Sequence, residues 1–382
     1  METRKLYYED CNLSSFTANI LSCEKAEGGY LVALDATAFY PEGGGQAADT
    51  GVLGGVRVLH TREKDGQILH LCDGPLPVGQ EVAGQIDWEA RFDLMQQHTG
   101  EHILSGLIHQ RFGYHNVGFH IGKDVMEVDF DGPISPDAVA ELEEESNRRI
   151  WADLPVNCAV PSPEELEKTV YRTKRALPWP VRIVEIPGTD SCACCGVHTE
   201  RTGRVGIIKI LSCVKFHGGV RLEMVCGQRA YRYLARVFEE NRLVSQTFSA
   251  KMLETGAAAE KASRQLAAEK FRATALEKRV FAGIAESYVN CEKAVHFEPG
   301  LNPGGVRELA EAIAAACGWA AVFSGADDGG YSYCLAAPGQ DLRGLNRELT
   351  QTLNGRGGGK PAFQQGSLQA TEAQIRAFFE KQ

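Results

Sequence analysis

Short apolar runs alternate with Gly-rich or Asp-rich breaks through residues 16–85. The stretches TANILSCEKAEGGYLVALDATAFY and TGVLGGVRVLHTREKDGQILHL show this pattern most clearly. Apolar runs of this length with turn residues between them are typical of short strands, and their close spacing favours a small β-barrel or sandwich.

The pattern changes to a helical period at DWEARFDLMQQHTGEHILSGLIHQRFG, which ends at Gly113. A second helix is predicted at PDAVAELEEESNRRIW, residues 136–151. Strand patterns return at VRIVEI, VGIIKILSCVKF and VRLEMVCG. Helices followed by separate strands predict an α+β middle region.

Gly and Pro become rare from about residue 229 to 285, where the sequence is rich in strong helix formers. Leu266, Ala273 and Val280 are seven residues apart, which is typical of a coiled coil, although Glu269 interrupts the neighbouring apolar position. The last 95 or so residues predict helices at VRELAEAIAAACG and LRGLNRELTQTL and strands at AAVFSG and YSYCLAAP. This pattern predicts an α/β fold for the C-terminal part.

Composition narrows the class of protein. The chain has 382 residues, with 43% hydrophobic and 24% charged residues, and no apolar run reaches the roughly 18–20 residues that a membrane helix needs. The N-terminal METRKLYYED lacks the apolar stretch of a signal peptide, so we expect a cytoplasmic protein without a membrane partner. In that compartment the twelve cysteines are expected to be reduced, and clustered ones indicate metal binding or catalysis.

The net charge of −10 gives no support to general nucleic-acid binding, so a polyanionic partner requires a local basic patch. Basic residues are enriched, and acidic ones few, between positions 201 and 236, which is the best candidate for such a patch. They are Arg201, Arg204, Lys209, Lys215, Arg221, Arg229, Arg232 and Arg236.

Two pairs of residues have the four-residue separation that is typical of metal ligands. His98 and His102 are four residues apart in a predicted helix and therefore share one face. Cys194 and His198 have the same separation in DSCACCGVHTERTG. Thiolate and neutral imidazole are ligands that Zn²⁺ favours, so the four residues predict a tetrahedral zinc site. Cys192 and Cys195 remain alternatives to Cys194.

Other interpretations of these residues stay open. HTGEH also fits the H-x-x-E-H motif of zinc peptidases, in which Glu101 would act as general base. A closed four-ligand site is also typical of a structural metal, which leaves a binding protein without hydrolytic activity as an alternative.

The chain resembles the editing domain of alanyl-tRNA synthetase and the free-standing alanyl-tRNA editing proteins. The resemblance rests on H-x3-H followed by C-x3-H and on three further stretches: DATAFYPEGGGQAADTG (35–51), HGGVRLEMVCGQRA (217–230) and NGRGGGKPAFQQGS (354–367). It implies an α+β multidomain chain: a small β-barrel (1–88), a zinc-dependent editing domain (89–235), a helical or coiled-coil linker (236–288) and a C-terminal α/β domain shared with DHH-type phosphoesterases (289–382).

The resemblance implies a trans-acting deacylase that hydrolyses Ser-tRNA(Ala), with Gly-tRNA(Ala) as a second candidate substrate. Because the barrel-like sequence begins within the first residues, we expect no aminoacylation domain. Zn²⁺ is the expected cofactor, and mischarged tRNA(Ala) is the expected partner. A homodimer through the linker and C-terminal domain is suggested, with packing within one chain as the alternative.

The resemblance also implies roles for individual residues. The expected metal and catalytic residues are His98, His102, Cys194 and His198. The expected substrate-binding residues are Gln97, Thr99, His120, Gly44, Gly358 and Lys360. Asp190 could orient a ligand imidazole. The triplet Gly43–Gly45 predicts a tight turn near the tRNA acceptor end, and Gly357–Gly359 predicts a loop with exposed N–H groups. Phe119 and His120 replace the sequence usual in the synthetases, which leaves the source of serine selectivity open.

Overall fold

The computed structural model describes residues 2–173 and 178–381. The chain forms two compact units, the first ending at Leu243 and the second beginning at Val244. The predicted α+β character with several sheets is confirmed. Within the described ranges, no helix combines the length and apolarity needed to cross a membrane.

The first unit begins with eight strands and one short helix. Their bounds are β1 (Arg4–Lys5), α1 (Leu6–Glu9), β2 (Ser15–Ala26), β3 (Gly29–Leu34), β4 (Ala36–Thr37), β5 (Gly51–Leu53), β6 (Val56–Lys64), β7 (Gln67–Cys72) and β8 (Glu81–Ile86). Six of these strands close a barrel in the order β2-β3-β7-β6-β5-β8. Alternate residues such as Phe16, Ala18 and Ile20 of β2 point into its core, which is why the apolar positions there have a period of two.

A long helix, α2 (Trp88–Phe112), then packs on a second sheet. The other elements of this region are β9 (Asn116–Ile121), β10 (Met126–Phe130), α3 (Pro136–Trp151), β14 (Ile208–Phe216) and β15 (Gly219–Cys226). The sheet order is β14-β15-β10-β9. Helix α2 ends where Gly113 adopts a left-handed conformation, as the sequence predicts. Ser135 caps α3 by accepting a hydrogen bond from the N–H of Ala138.

A third, smaller sheet lies between these segments in sequence. It consists of β11 (Asn157–Ala159), β12 (Ile183–Ile186) and β13 (Asp190–Ala193), with the short helix α4 (Pro163–Leu166) and a 3-10 turn (Thr202–Val205) nearby in the chain. In the antiparallel pairing of β12 with β13, Val184 lies opposite Cys192. This pairing holds the cysteine-rich segment against α2.

The predicted helical region is divided into two helices, α5 (Gly227–Phe248) and α6 (Thr255–Glu286). Between them Ser249 has a positive φ of 49°, which interrupts the helical path. Helix α6 leaves apolar residues exposed along one face, among them Leu266, Leu276 and Val280.

The second unit ends in a five-stranded sheet with helices. Its further elements are β16 (Ala294–Phe297), α7 (Pro303–Cys317), β17 (Ala320–Ala326), β18 (Gly330–Ala336), α8 (Arg343–Thr352), β19 (Gly355–Lys360), β20 (Phe363–Leu368) and α9 (Glu372–Phe379). The sheet order is β16-β17-β18-β20-β19.

The predicted Gly-rich loop is instead an edge strand of this sheet. Gly357–Gly359 lie within β19, which pairs with β20. The hydroxyl of Tyr333 would lie only 2.1 Å from a Cβ at position 357. A glycine at this position therefore allows close packing, a requirement that the sequence pattern alone does not distinguish from loop flexibility.

Candidate metal centre

The fold brings the four predicted metal ligands together. One nitrogen each from His98, His102 and His198 and the sulfur of Cys194 all lie within 4.8 Å of one another. The two helical histidines come from α2, whereas Cys194 follows β13 directly and His198 lies in the irregular segment after it. The three imidazoles are 2% exposed, so the group forms a buried centre.

Each imidazole is held through its Nδ1 atom. The Nδ1–H of His98 donates to Gln46 Oε1 (2.9 Å), and that of His102 donates to Asp190 Oδ2 (2.8 Å). His198 Nδ1 lies 3.4 Å from Thr99 Oγ1. These contacts leave the three Nε2 atoms for a shared ligand, which is the arrangement found around metal-binding histidines.

Two observations indicate that the donor set suits a cation. His198 Nε2 is buried and has no hydrogen-bond partner among the described residues. The sulfur of Cys194 lies 3.4 Å from His98 Nε2 and accepts a hydrogen bond from the N–H of Gly196 (3.3 Å). One thiolate and three imidazole nitrogens form a donor set that fits Zn²⁺.

The electrostatics favour a thiolate at Cys194. Burial opposes ionisation of this thiol, but its interactions with the adjacent imidazoles of His98 and His198 outweigh burial and bring its pKa well below the ordinary value. Burial lowers the pKa of the His198 imidazole well below its ordinary value. Deprotonated thiol and neutral imidazole are the forms that bind metal.

The geometry separates Cys194 from its two neighbours. Cys192 groups with His102 and Asp190, but it is absent from the group that contains all three histidines. Cys195 is exposed, and its sulfur lies 4.0 Å from the hydroxyl of Tyr40. Of the three cysteines, Cys194 alone lies within reach of all three imidazoles.

A cavity of about 550 Å³ opens beside the centre. Its wall includes His98, His102 and Cys194. Gly44 and Gly45 also line it, in a turn closed by reciprocal hydrogen bonds between Gly43 and Gln46 (3.0 and 3.1 Å). The turn packs closely on the site, since a Cβ at Gly45 would lie 2.5 Å from the ring of Phe119. The expected tight turn is thus present, and it brings backbone to the cavity.

The other residues expected to bind substrate lie in varied places. Gln97 is fully buried and bonds the backbone of Cys226, so it supports the packing of α2 on β15. Thr99 holds His198 and accepts from the N–H of Thr199. His120 differs from the expectation, because it is exposed on β9 and is not part of the cavity wall, whereas its neighbour Phe119 is.

Gly358 and Lys360 lie on the exposed strand β19 in the second unit. The expected basic patch is also modified by the fold. Four of its residues form ion pairs with carboxylates from other segments: Arg201 with Asp153, Lys209 with Glu143, Arg221 with Asp129, and Arg229 with Asp93. The segment is therefore less basic in the folded protein than its sequence suggests.

Three residues at the site carry little signal in the sequence. Gln46 reaches His98 from the barrel region, 52 positions away. Arg172 makes a two-pronged ion pair with Asp190 (2.7 and 2.8 Å). Hydrogen bonds from His102 and Arg172 overcome the effect of burial and lower the pKa of Asp190. Asn116 donates a hydrogen bond from Nδ2 to Oε1 of Glu101 (2.6 Å). Polar residues in irregular segments are too common for their type alone to mark such roles.

Changing Asp190 to Asn is expected to weaken metal binding roughly 10–100-fold, the usual effect of losing a carboxylate that orients a ligand histidine. Competition with a chromogenic Zn²⁺ chelator measures this affinity. Asp129→Asn is a matched control, because Asp129 makes an equivalent two-pronged pair with Arg221 (2.7 and 2.8 Å) away from the centre. Equal affinities in the two variants would contradict a role for Asp190 in orienting His102.

Two segments of the chain match models of known protein families. Residues 2–90 match the family model of class II (A) tRNA synthetases, and residues 181–222 match the second additional domain of threonyl and alanyl tRNA synthetases. The latter segment contains Cys194 and His198.

The matches to curated relatives cover different shares of the relatives' lengths. An alanine–tRNA ligase of Thermofilum pendens is 33% identical over 97% of this chain and 43% of the ligase. The alanyl-tRNA editing protein Aarsd1 of Danio rerio is 28% identical over 94% of this chain and 92% of its own. The alanyl-tRNA editing protein AlaX-L of Pyrococcus horikoshii is 35% identical over 62% of this chain and 61% of its own length. The chain therefore spans less than two thirds of the ligase and of AlaX-L. By these matches the chain is similar to alanyl-tRNA editing proteins and to alanine–tRNA ligases, and two of its segments match domains of tRNA synthetases.

Proposed function

We propose that the chain is a zinc-dependent deacylase that hydrolyses the ester of Ser-tRNA(Ala), with Gly-tRNA(Ala) as a second substrate. The observation that carries the proposal is the convergence of His98, His102, Cys194 and His198 within 4.8 Å on the wall of a 550 Å³ cavity. A relative whose length the chain covers by 92% is named an alanyl-tRNA editing protein, which supports the same activity.

Separate residues would bind the metal and orient its ligands. His98, His102, Cys194 and His198 would hold the zinc ion, and Gln46, Asp190 and Thr99 fix the direction of the three rings. A zinc ion in such a site supplies Lewis-acid chemistry, polarising an ester carbonyl or lowering the pKa of water. The turn at Gly44–Gly45 lets the 3′ end of a tRNA approach the backbone, since neither residue has a side chain to obstruct it.

The need for such an activity follows from molecular recognition. A binding site shaped for alanine excludes glycine poorly, because one missing methyl group changes binding by only about 1–3 kcal/mol. A site of this kind also rejects an added hydroxyl poorly, so serine enters. Hydrolysis at a second site is the general solution, and it requires the deacylase to spare the correct alanyl ester.

Purified protein loaded with Zn²⁺ is expected to hydrolyse Ser-tRNA(Ala) well above the spontaneous rate and to leave Ala-tRNA(Ala) nearly intact. Release of labelled amino acid from each tRNA measures both rates. A strong chelator should remove the activity, and added Zn²⁺ should restore it. Protection of both esters would instead indicate a tRNA-binding protein with a structural metal.

The peptidase alternative is less consistent with the site. In the proposed site Cys194 and His198 would be the third and fourth ligands, whereas an H-x-x-E-H peptidase takes a carboxylate as third ligand. Glu101 also accepts hydrogen bonds at one oxygen from Ser105 and Asn116. Absence of cleavage of a denatured protein substrate by the zinc-loaded chain would complete the distinction.

The layout of the chain is proposed to follow the four segments expected from the sequence, with tRNA contacts in both units. Strand β19 is suited to phosphate contacts. It carries the exposed cation of Lys360. Its backbone is open at Gly358, where no heavy atom lies within 4 Å of a Cβ.

The exposed apolar face of α6 is proposed to bind a second copy of the chain. Leu266, Leu276 and Val280 are 57%, 48% and 58% exposed on this face. Changing both Leu266 and Val280 to Glu should convert a dimer into a monomer, because two buried carboxylates at such an interface are strongly unfavourable. Light scattering after gel filtration measures the mass, and Arg264→Glu on the opposite face is the control. A monomeric wild type would contradict this proposal.

A further inference from the structure

Glu101 is a buried carboxyl group beside the metal centre that is not one of the four ligands. It lies on α2 directly before His102 and is 4% exposed. Its Oε1 atom accepts hydrogen bonds from Asn116 Nδ2 (2.6 Å) and from the hydroxyl of Ser105. Its Oε2 atom lies 4.0 Å from His102 Nε2 and accepts no hydrogen bond from the part of the chain that the structure describes. One oxygen is therefore fixed while the other is available.

Asn116 adds a second acceptor at the same place. This residue begins β9 and is 8% exposed. Its Nδ2 group is used by Glu101, whereas its Oδ1 atom is buried without a donor among the described residues. Buried acceptors are nearly always satisfied, so an unsatisfied one indicates a donor supplied from elsewhere.

Both residues line the cavity that contains the ligand atoms of His98, His102 and Cys194. The guanidinium of Arg172 also lines this cavity, and its two hydrogen bonds go to Asp190 and not to Glu101. A ligand that fits a carboxylate oxygen and an amide oxygen has several N–H donors and a positive charge. The α-ammonium group of an aminoacyl ester has three N–H donors and that charge.

We propose that Glu101 and Asn116 form the binding site for the α-ammonium group of the aminoacyl ester. The inference rests on the proposed deacylase function and extends it to the class of ester that is accepted. A free ammonium makes charge-assisted hydrogen bonds with Glu101, whereas an N-acylated amino group is neutral, bulkier and has a single donor. The site therefore selects free aminoacyl esters and rejects N-blocked esters of the peptidyl-tRNA type.

The test compares Ser-tRNA(Ala) with N-acetyl-Ser-tRNA(Ala) on the full zinc-loaded chain. For the wild type, kcat/KM is expected to be about 10–100-fold higher for the free amine, the range for a buried hydrogen-bonded charge pair. Glu101→Gln should reduce this ratio to within about threefold, mainly by slowing the free-amine substrate. Bound Zn²⁺ measured by mass spectrometry should stay at the wild-type level, which excludes loss of the metal as the cause.

Glu127→Gln is the matched control, because Glu127 lies on the neighbouring strand β10 and pairs with Arg221 away from the cavity. It should keep the wild-type ratio. Binding of a non-hydrolysable 3′-amide analogue of seryl-adenosine to the wild type, compared with its N-acetyl form, is a second measurement that needs no variant. The free amine should bind about 10–100-fold more tightly.

Two results would overturn the inference while leaving the deacylase function intact. One is equal kcat/KM or equal affinity for the free and acetylated forms with the wild type. The other is an equal loss of rate for both esters in Glu101→Gln with the metal retained, which would indicate that Glu101 acts on water instead. A wild type that hydrolyses neither ester would refute the proposed function itself, and with it this inference.

Discussion

Replacing Cys194 by alanine is expected to remove the bound metal and to lower the hydrolysis of Ser-tRNA(Ala) by at least about 10²–10³-fold, the range for losing one preorganised stabilising group. The sulfur is the only anionic donor in the group of four, and it faces all three imidazoles. Its loss leaves three neutral nitrogens, which hold a divalent cation less strongly. Metal content by mass spectrometry and single-turnover deacylation measure the two effects.

The adjacent cysteines provide matched controls for this change. Cys192→Ala and Cys195→Ala remove the same thiol group from the same segment but leave the four ligand atoms in place. Both variants should keep one equivalent of metal. Full metal content in Cys194→Ala together with its loss in Cys192→Ala would show that the ligand assignment is wrong.

Adding a single methyl group at Gly196 is expected to disturb the centre almost as strongly. A Cβ at this position would lie 2.1 Å from Cε1 and 2.4 Å from Nδ1 of His98, which is far inside van der Waals contact. The ring is fixed by Gln46 and cannot move without losing that hydrogen bond. We therefore expect Gly196→Ala to displace His98 and to lower both metal affinity and deacylation by about 10²-fold or more.

Gly283→Ala separates this effect from the general consequence of replacing glycine. Gly283 lies in α6, and a Cβ there meets no heavy atom within 4 Å. This variant should keep its metal and gain slightly in helix stability, by about 0.5–1 kcal/mol. Thermal unfolding followed by circular dichroism shows whether Gly196→Ala is still folded. A folded Gly196→Ala variant with wild-type metal affinity would contradict the predicted clash.

Several elements were predictable because their signals are local. The end of helix α2 was predictable from Gly113, which follows Phe112 and adopts the left-handed conformation that ends a helix. The ligand pairs are visible because four-residue spacing in a helix, or around a tight turn, places two side chains on one side. These signals require only neighbouring residues, so they are readable without knowledge of the fold.

Other features could not be read in this way. Gly357–Gly359 was expected to be a loop, yet it lies within β19, whose backbone pairs with strand β20. His120 was expected to bind substrate, but in the structure Phe119 lines the cavity beside the metal centre and His120 does not. The basic segment at 201–236 is partly neutralised, since Asp153, Glu143, Asp129 and Asp93 reach it from elsewhere in the chain.

By itself the sequence determined the types of secondary structure and the chemical nature of the donors, since both depend on side chains and on short spacings along the chain. The tertiary structure decided which cysteine faces the histidines, which residue orients each ring, and which acceptors line the cavity. Gln46, Asp190 and Thr99 meet the imidazoles from three separate segments. Contacts of this kind arise from the packing of distant segments, for which the sequence carries no local signal.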